Sequence, residues 1–312
     1  MFDSVRATAS DIKDMKIRGA GRIARAAASA MGEFADNYHG RSLDEFKKDI
    51  DTAKAILLES RPTAVSLWSG VHACVRDTGT ASSFKEARDS VVTNARSFVD
   101  TSANAVELIA EFGAKRVQDG DILLTHCNSS AALGVIKRAN AQGKDIKVYA
   151  TESRPWRQGL LTAKELSDAG VDVTFIIDSA VRSVMNKVDK VFVGADTVAS
   201  NGALINKIGT SQLALAADEA RVPFSVCTET YKFSPMTIFG NMVEIEERDY
   251  AEVVGAGEVP KNVKVHNPVF DTTPAKYIDA IITELGIISP GSVYEVMVRQ
   301  FGKELLKMRD IK

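Results

Sequence analysis

Asp121-Ile122-Leu123-Leu124-Thr125-His126-Cys127-Asn128-Ser129-Ser130 runs directly into Ala131-Ala132-Leu133-Gly134-Val135-Ile136. A short apolar run gives way to a polar helix-start signal, and that signal to a helical pattern. This is the first half of a βα unit. The alternation continues downstream. Ile146 to Ala150, Val171 to Ile177, Lys190 to Val193 and Val222 to Val226 are strand-like in length and rich in β-branched residues. Helices are predicted between them, near residues 129–142, 159–169, 179–187 and 206–220. Strand alternating with helix predicts βαβ units around a mostly parallel sheet.

Upstream of residue 113 the period is helical. Ala24 to Ala35 is rich in alanine, the strongest helix former. Leu43, Phe46, Ile50, Ala53 and Leu57 form one apolar stripe, and Phe84, Ala87, Val91, Ala95 and Phe98 another. The expected class is therefore α/β, with a helical N-terminal domain over 1–112 and a Rossmann-like C-terminal domain over 113–312.

The bulk numbers narrow the function. A chain of 312 residues, 45% hydrophobic and 26% charged, can bury the cores of two domains. Its formal net charge of -2 and the lack of a basic block argue against nucleic acid as a partner. The cysteines Cys74, Cys127 and Cys227 form no CxxC pair, and His39, His72, His126 and His266 form no HExxH pattern. No metal and no cofactor is expected. No signal-peptide core stands at the N-terminus, and no run of about 18 apolar residues occurs. A cytoplasmic protein without a membrane span is expected.

In open parallel sheets, ligands bind beyond the carboxyl ends of the strands. The segments there carry Cys127, Arg154, Asp178, Asp196 and Lys232, which a single crevice could gather. Cys127 stands before a predicted helix start, which would favour a thiolate able to act as base or nucleophile; it is otherwise a small packing residue. Asp196, flanked by Gly194 and Ala195, is either a general acid kept neutral by burial beside a thiolate or an Asx-turn residue.

Other residues suit an anion. Arg18-Gly19-Ala20-Gly21 is a GxG element ahead of a long helix, but no strand precedes it and Ala24 stands where a third glycine would. It suits a small phosphate better than a dinucleotide. Arg61 and Arg154 each precede a proline, which keeps them out of helix, and arginine pairs well with phosphate. Asn206 and Lys207 are expected at a helix start, where they suit a phosphate or a sugar hydroxyl. Lys232 lies between Tyr231 and Phe233 after a strand. For each, a turn or a solvated salt bridge is the plainer alternative.

Together these motifs carry a resemblance. Arg18-Gly19-Ala20-Gly21, Arg61-Pro62-Thr63-Ala64, Thr125-His126-Cys127, Thr151-Glu152-Ser153-Arg154-Pro155, Gly194-Ala195-Asp196, Asn201-Gly202 and Asn206 to Thr210 occur in one order along nearly the whole chain. The sequence resembles the initiation factor 2B α/β/δ-like superfamily, and within it the archaeal sugar-bisphosphate isomerase branch. Asp178-Ser179-Ala180, Glu229 to Phe233 and Asn267 to Asp271 resemble that branch too.

The resemblance implies conversion of α-ribose 1,5-bisphosphate to ribulose 1,5-bisphosphate, with Cys127 and Asp196 as the catalytic pair. It implies substrate contacts at Arg18 to Gly21, Arg61, Ser129, Ser130, Asn206, Lys207 and Lys232. It also implies a homo-oligomer built from dimers, often a hexamer, and in some members a response to AMP. One departure stands out. Relatives commonly read Cys-His-Ser-Lys after the catalytic cysteine, whereas this chain reads Cys127-Asn128-Ser129-Ser130. A phosphate cation is missing there unless Lys137 or Arg138 reaches in. The rival activities are isomerisation of methylthioribose 1-phosphate, which needs an apolar pocket in place of a second phosphate site, and a non-catalytic translation-factor subunit.

Overall fold

The computed structural model describes residues 2–40, 42–260 and 262–302. Contacts divide the chain into two compact units, Met1–Asn104 and Ala105–Lys312.

The N-terminal unit is helical: α1 (Asp3–Lys13), α2 (Ala20–Asp36), α3 (Leu43–Ser60), α4 (Val65–Val75) and the first two thirds of α5 (Phe84–Ala114). Ser42 caps α3, its hydroxyl accepting the Glu45 N–H at 3.4 Å. The stripe Phe46, Ile50, Ala53 and Leu57 is fully sequestered, and Ala87, Val91 and Ala95 of α5 join the same core. Each large apolar side chain buried this way contributes about 1.5–3 kcal/mol. That burial is what commits short helices to a bundle.

The C-terminal unit is α/β. Its elements are β1 (Ile122–Thr125), α6 (Ser130–Ala141), β2 (Lys147–Thr151), α7 (Gly159–Asp168), β3 (Asp172–Ile176), α8 (Val181–Val184), β4 (Lys190–Val193), β5 (Thr197–Val198), β6 (Leu204–Lys207), α9 (Thr210–Ala220), β7 (Phe224–Cys227), β8 (Phe270–Thr273), β9 (Ala280–Thr283), β10 (Gly286–Ile288) and α10 (Val293–Phe301). The main sheet has the order β10-β9-β7-β4-β1-β2-β3, parallel except for β10. A small antiparallel sheet, β5-β6-β8, accompanies it.

Strand alternation sorts the core into two layers. Leu124, Val191, Val193 and Ile281 pack with residues of α8, α9 and α10. Leu123, Phe192 and Ile282 pack with residues of α6 and α7 and with Ile109 and Ala114 of α5. Among the described residues, no helix is long and apolar enough to cross a membrane.

Two local expectations change. The helix expected from residue 206 begins at Thr210, and Leu204–Lys207 is a strand buried along its whole length. It pairs with β8, Asn206 opposite Asp271 and Lys207 opposite Phe270. Two polar residues in so short a run hid the strand period. The segment expected as a helix over 179–187 holds only the four residues of α8, flanked by single 3-10 turns.

Candidate active site

Strand order reverses between β1 and β4: β2 and β3 extend the sheet on one side, β7, β9 and β10 on the other. Such a switch point opens a crevice at the carboxyl ends of the two strands. Leu124 pairs with Val191, so the chains leave the sheet side by side, one leading to Cys127 and the other to Asp196.

Cys127 sits in a sharp turn. Its φ is 65° and that of Ser153 is 61°, both in the left-handed region. Such conformations cost non-glycine residues about 1–3 kcal/mol and persist only where neighbours enforce them. Here the Cys127 N–H donates to Ser153 Oγ at 2.8 Å, and the Thr162 hydroxyl donates to the Cys127 carbonyl at 2.6 Å. Asp178 fixes the second turn, one carboxylate oxygen accepting from the Ser153 N–H at 2.7 Å and the other from the Arg154 N–H at 2.9 Å. Gly194 allows the close approach from the β4 side, since a Cβ there would meet Ser129 Oγ at 2.3 Å.

The electrostatics differ from the sequence expectation. Helix α6 starts at Ser130 with Ser129 as its cap, so its N-terminus lies beyond the cysteine. Burial dominates and pushes the Cys127 thiol up to about 11. The Lys207 cation and the Asn128 backbone N–H favour the thiolate, while Asp196 and Asp178 oppose it. Among the described residues, no group hydrogen-bonds the Asp196 carboxylate, whose backbone N–H is held by the Ile205 carbonyl at 3.1 Å.

Asn206 and Lys207 are buried at the end of β6. The Asn206 amide donates to Thr210 Oγ1 at 3.0 Å, and Lys207 Nζ lies 5.6 Å from the Phe270 ring centre. The N-terminus of α9 is occupied by a carboxylate: Asp271 accepts from Gly209 N–H at 2.8 Å and from Ser211 N–H at 3.1 Å. An anion there comes from the chain itself. Asp271 is nevertheless pushed up to about 6, because burial outweighs those two bonds.

Lys232 is buried and stands 2.6 Å from the Glu229 carboxylate. Burial pushes Glu229 up, but Lys232, with a backbone N–H and the Tyr231 hydroxyl, holds the carboxyl below its ordinary value. Tyr231 donates to the other Glu229 oxygen at 2.9 Å. The sequence reading named the lysine and missed its partner. Opposite charges three residues apart, straight after a strand, were the available signal.

The remaining candidates are placed as follows. Ser130 and Arg154 are exposed, and the Arg154 guanidinium donates to the Val253 carbonyl at 3.0 Å. Lys137 pairs with Glu165 at 3.7 Å and Arg138 with Glu107 at 3.1 Å, so neither replaces the missing lysine at Ser130. In the helical unit, Gly19 with φ 84° leads into α2 from Ala20 and Gly21, and Arg18 Nε donates to the Met15 carbonyl at 2.6 Å. Arg61 closes α3 in a non-helical conformation (φ -157°, ψ 79°) ahead of Pro62.

A doubly wound α/β unit of the Rossmann-like class binds its ligands at the switch point, where this chain carries a thiol and a carboxyl. The chain belongs to the initiation factor 2 subunit family, whose sequence profile matches residues 16–290. It is 50% identical over 301 residues to the ribose 1,5-bisphosphate isomerase of Methanocaldococcus jannaschii, covering 96% of each chain. It is 52% identical to the enzyme of that name from Archaeoglobus fulgidus, covering 96% of this chain and 95% of the other. Among solved structures, 5-methylthioribose 1-phosphate isomerase from Pyrococcus horikoshii superposes with a TM-score of 0.76 at 31% identity, covering 97% of this chain and 88% of that one.

Proposed function

We propose that this chain is an aldose–ketose isomerase that converts α-ribose 1,5-bisphosphate to ribulose 1,5-bisphosphate, with Cys127 and Asp196 as its proton-handling pair. The observation that carries the reading is half-identity over nearly full length to isomerases of that name. The switch-point placement of the thiol and carboxyl supports it.

The chemistry calls for two such groups. Phosphate on the anomeric oxygen prevents simple opening to an aldehyde. A base removes the C2 proton while an acid protonates the ring oxygen leaving C1, which gives an enol phosphate. The base then returns a proton to C1, and the acid's conjugate takes the proton of the C2 hydroxyl as the ketone forms. Both groups end in their starting forms. In this reading Cys127 is the base and Asp196 the acid. Burial favours the thiol, so this role requires transfer of the sulfur's proton before C2 is attacked. Lys207 and the Asn128 N–H favour that transfer and burial opposes it.

Ser129, Ser130, Asn206, Lys207 and Lys232 are the proposed substrate contacts of the α/β unit, with Arg154 beside them on the Asp178-bound turn. Arg18, Gly19, Ala20, Gly21 and Arg61 are the proposed anion contacts of the helical unit. A cytoplasmic homo-oligomer built from dimers, activated by AMP, belongs to the same reading; light scattering and assays with and without AMP test it.

One observation favours a second reading. Glu229 offsets the charge of Lys232, which weakens the case for a second phosphate there. Methylthioribose 1-phosphate, with a thioether in place of that phosphate, is the competing substrate. The test is a side-by-side isomerase assay. Faster turnover of ribose 1,5-bisphosphate supports the proposal, and exclusive turnover of methylthioribose 1-phosphate overturns it.

A further inference from the structure

His126, next to Cys127, is buried at the end of β1. Its Nε2 lies 2.9 Å from the Ile208 carbonyl, which can only accept, so Nε2 carries the proton. Its Nδ1 lies 2.6 Å from the Thr151 hydroxyl, which donates to it. Ile208 follows Lys207, the lysine that acts on the thiol. The turn after Lys207 is packed against the ring: Gly209 has φ 101°, and a Cβ there would meet His126 Cε1 at 3.1 Å. From the other side, the Ile208 N–H donates to the Val269 carbonyl at 2.9 Å, and Asp271 binds the Gly209 N–H. One imidazole thus joins the segment carrying the thiol to the turn carrying its cation.

We propose that His126 is a positioning residue, whose ring holds the turn after Lys207 against the Cys127 segment. The role needs the Nε2-protonated tautomer, which the Ile208 carbonyl fixes; Nδ1 then accepts from the Thr151 hydroxyl, with Ser153 Oγ 3.4 Å away. Burial holds the ring below the ordinary histidine range and keeps it neutral. Lys207 adds to this, and Asp178, 3.9 Å from Nδ1, opposes it. The charged groups acting on the thiol are Lys207, Asp196 and Asp178. The idea rests on Cys127 being the reactive group of this crevice, and its main readout does not depend on the substrate.

The test replaces His126 in the full chain by Gln, which offers an amide N–H in place of Nε2–H, and by Leu, which offers none. Two quantities are read. One is the rate of Cys127 alkylation by iodoacetamide against pH, located by mass spectrometry. The other is kcat and KM on ribose 1,5-bisphosphate. His126→Leu should move the alkylation profile to higher pH, because Lys207 no longer faces the sulfur, and should lower kcat by about tenfold to a hundredfold with a smaller change in KM. His126→Gln should stay near wild type in both. A Leu variant with a wild-type alkylation profile overturns the proposal, even if its melting temperature falls, and so does a Gln variant as impaired as Leu. Should the Leu variant not fold, Thr151→Val removes the hydroxyl that holds Nδ1 and so loosens the ring; the profile should shift the same way by less, and no shift overturns the proposal. A chain inactive on the sugar bisphosphate but showing these shifts would discredit the substrate assignment and leave His126's role standing.

Discussion

Cys127 and Asp196 emerge from neighbouring parallel strands, β1 and β4, where the order of the main sheet reverses. The carboxylate acts on the thiol electrostatically, and no described side chain hydrogen-bonds it. Replacing Asp196 by Asn keeps the shape and removes the proton. Turnover should fall by roughly a hundredfold or more, the usual worth of general acid catalysis, while substrate binding measured by calorimetry is retained. An Asn variant with more than about a tenth of wild-type turnover would exclude the acid role.

The thiol makes its own prediction. In the free protein Cys127 should be alkylated slowly at neutral pH, with a rate that climbs toward a midpoint of about 11. An unperturbed thiol would titrate near pH 8.5. Lys207→Met should move the midpoint higher still, because the cation favours the thiolate. A midpoint below about 8.5 would show that local charge wins over burial. Cys74 and Cys227, buried in the two cores, should stay unreactive until the protein unfolds.

Lys232 and Glu229 test the second phosphate. If Lys232 holds it, Lys232→Met should raise KM for ribose 1,5-bisphosphate by roughly tenfold to a hundredfold, the worth of one charge-assisted contact. A sugar with a C1 phosphate alone should be affected much less. Each single change also leaves a buried charge unpaired, typically costing about 3–5 kcal/mol. The double variant Lys232→Met, Glu229→Gln should therefore be more stable than either single one in urea unfolding. Additive losses would mean that the pair is not coupled.

Asp271 gives a stability signature with a definite sign. Its carboxyl is raised from 3.8 to about 6 in the folded state. The folded chain thus holds this proton more tightly than the unfolded one. The resulting stabilisation is complete below the unfolded value and lost as pH rises through about 6. The melting-temperature difference between wild type and Asp271→Asn should shrink, in favour of the variant, as pH rises from about 4 to about 6, and then level off. A difference that does not change with pH would contradict this account.

The alternation of apolar runs and helical patterns after residue 113 reads correctly because the central strands β1, β4 and β7 are buried and stay apolar: β4 lies where its sequence places it, and β1, β2, β3 and β7 shift by only one or two residues at their ends. The strand β6 was not legible, because Asn206 and Lys207 are buried polar residues whose partners on β8 lie more than sixty positions away. Long-range partners explain the other gaps as well. Asp271 at the start of α9 and the Ile208 carbonyl under His126 are contacts made by the fold rather than by local spacing, whereas Glu229, three residues from Lys232, lay within reach of local spacing. The thiol's elevation follows from burial, which a local pattern does not measure.

The most direct measurement is conversion of ribose 1,5-bisphosphate followed by NMR, for the wild type and for Cys127→Ser. The account predicts that the wild type forms ribulose 1,5-bisphosphate, and that the serine variant binds the sugar with near-native affinity and forms no measurable ketose. A wild type that leaves ribose 1,5-bisphosphate unchanged while isomerising methylthioribose 1-phosphate, or a serine variant with wild-type turnover, would contradict it.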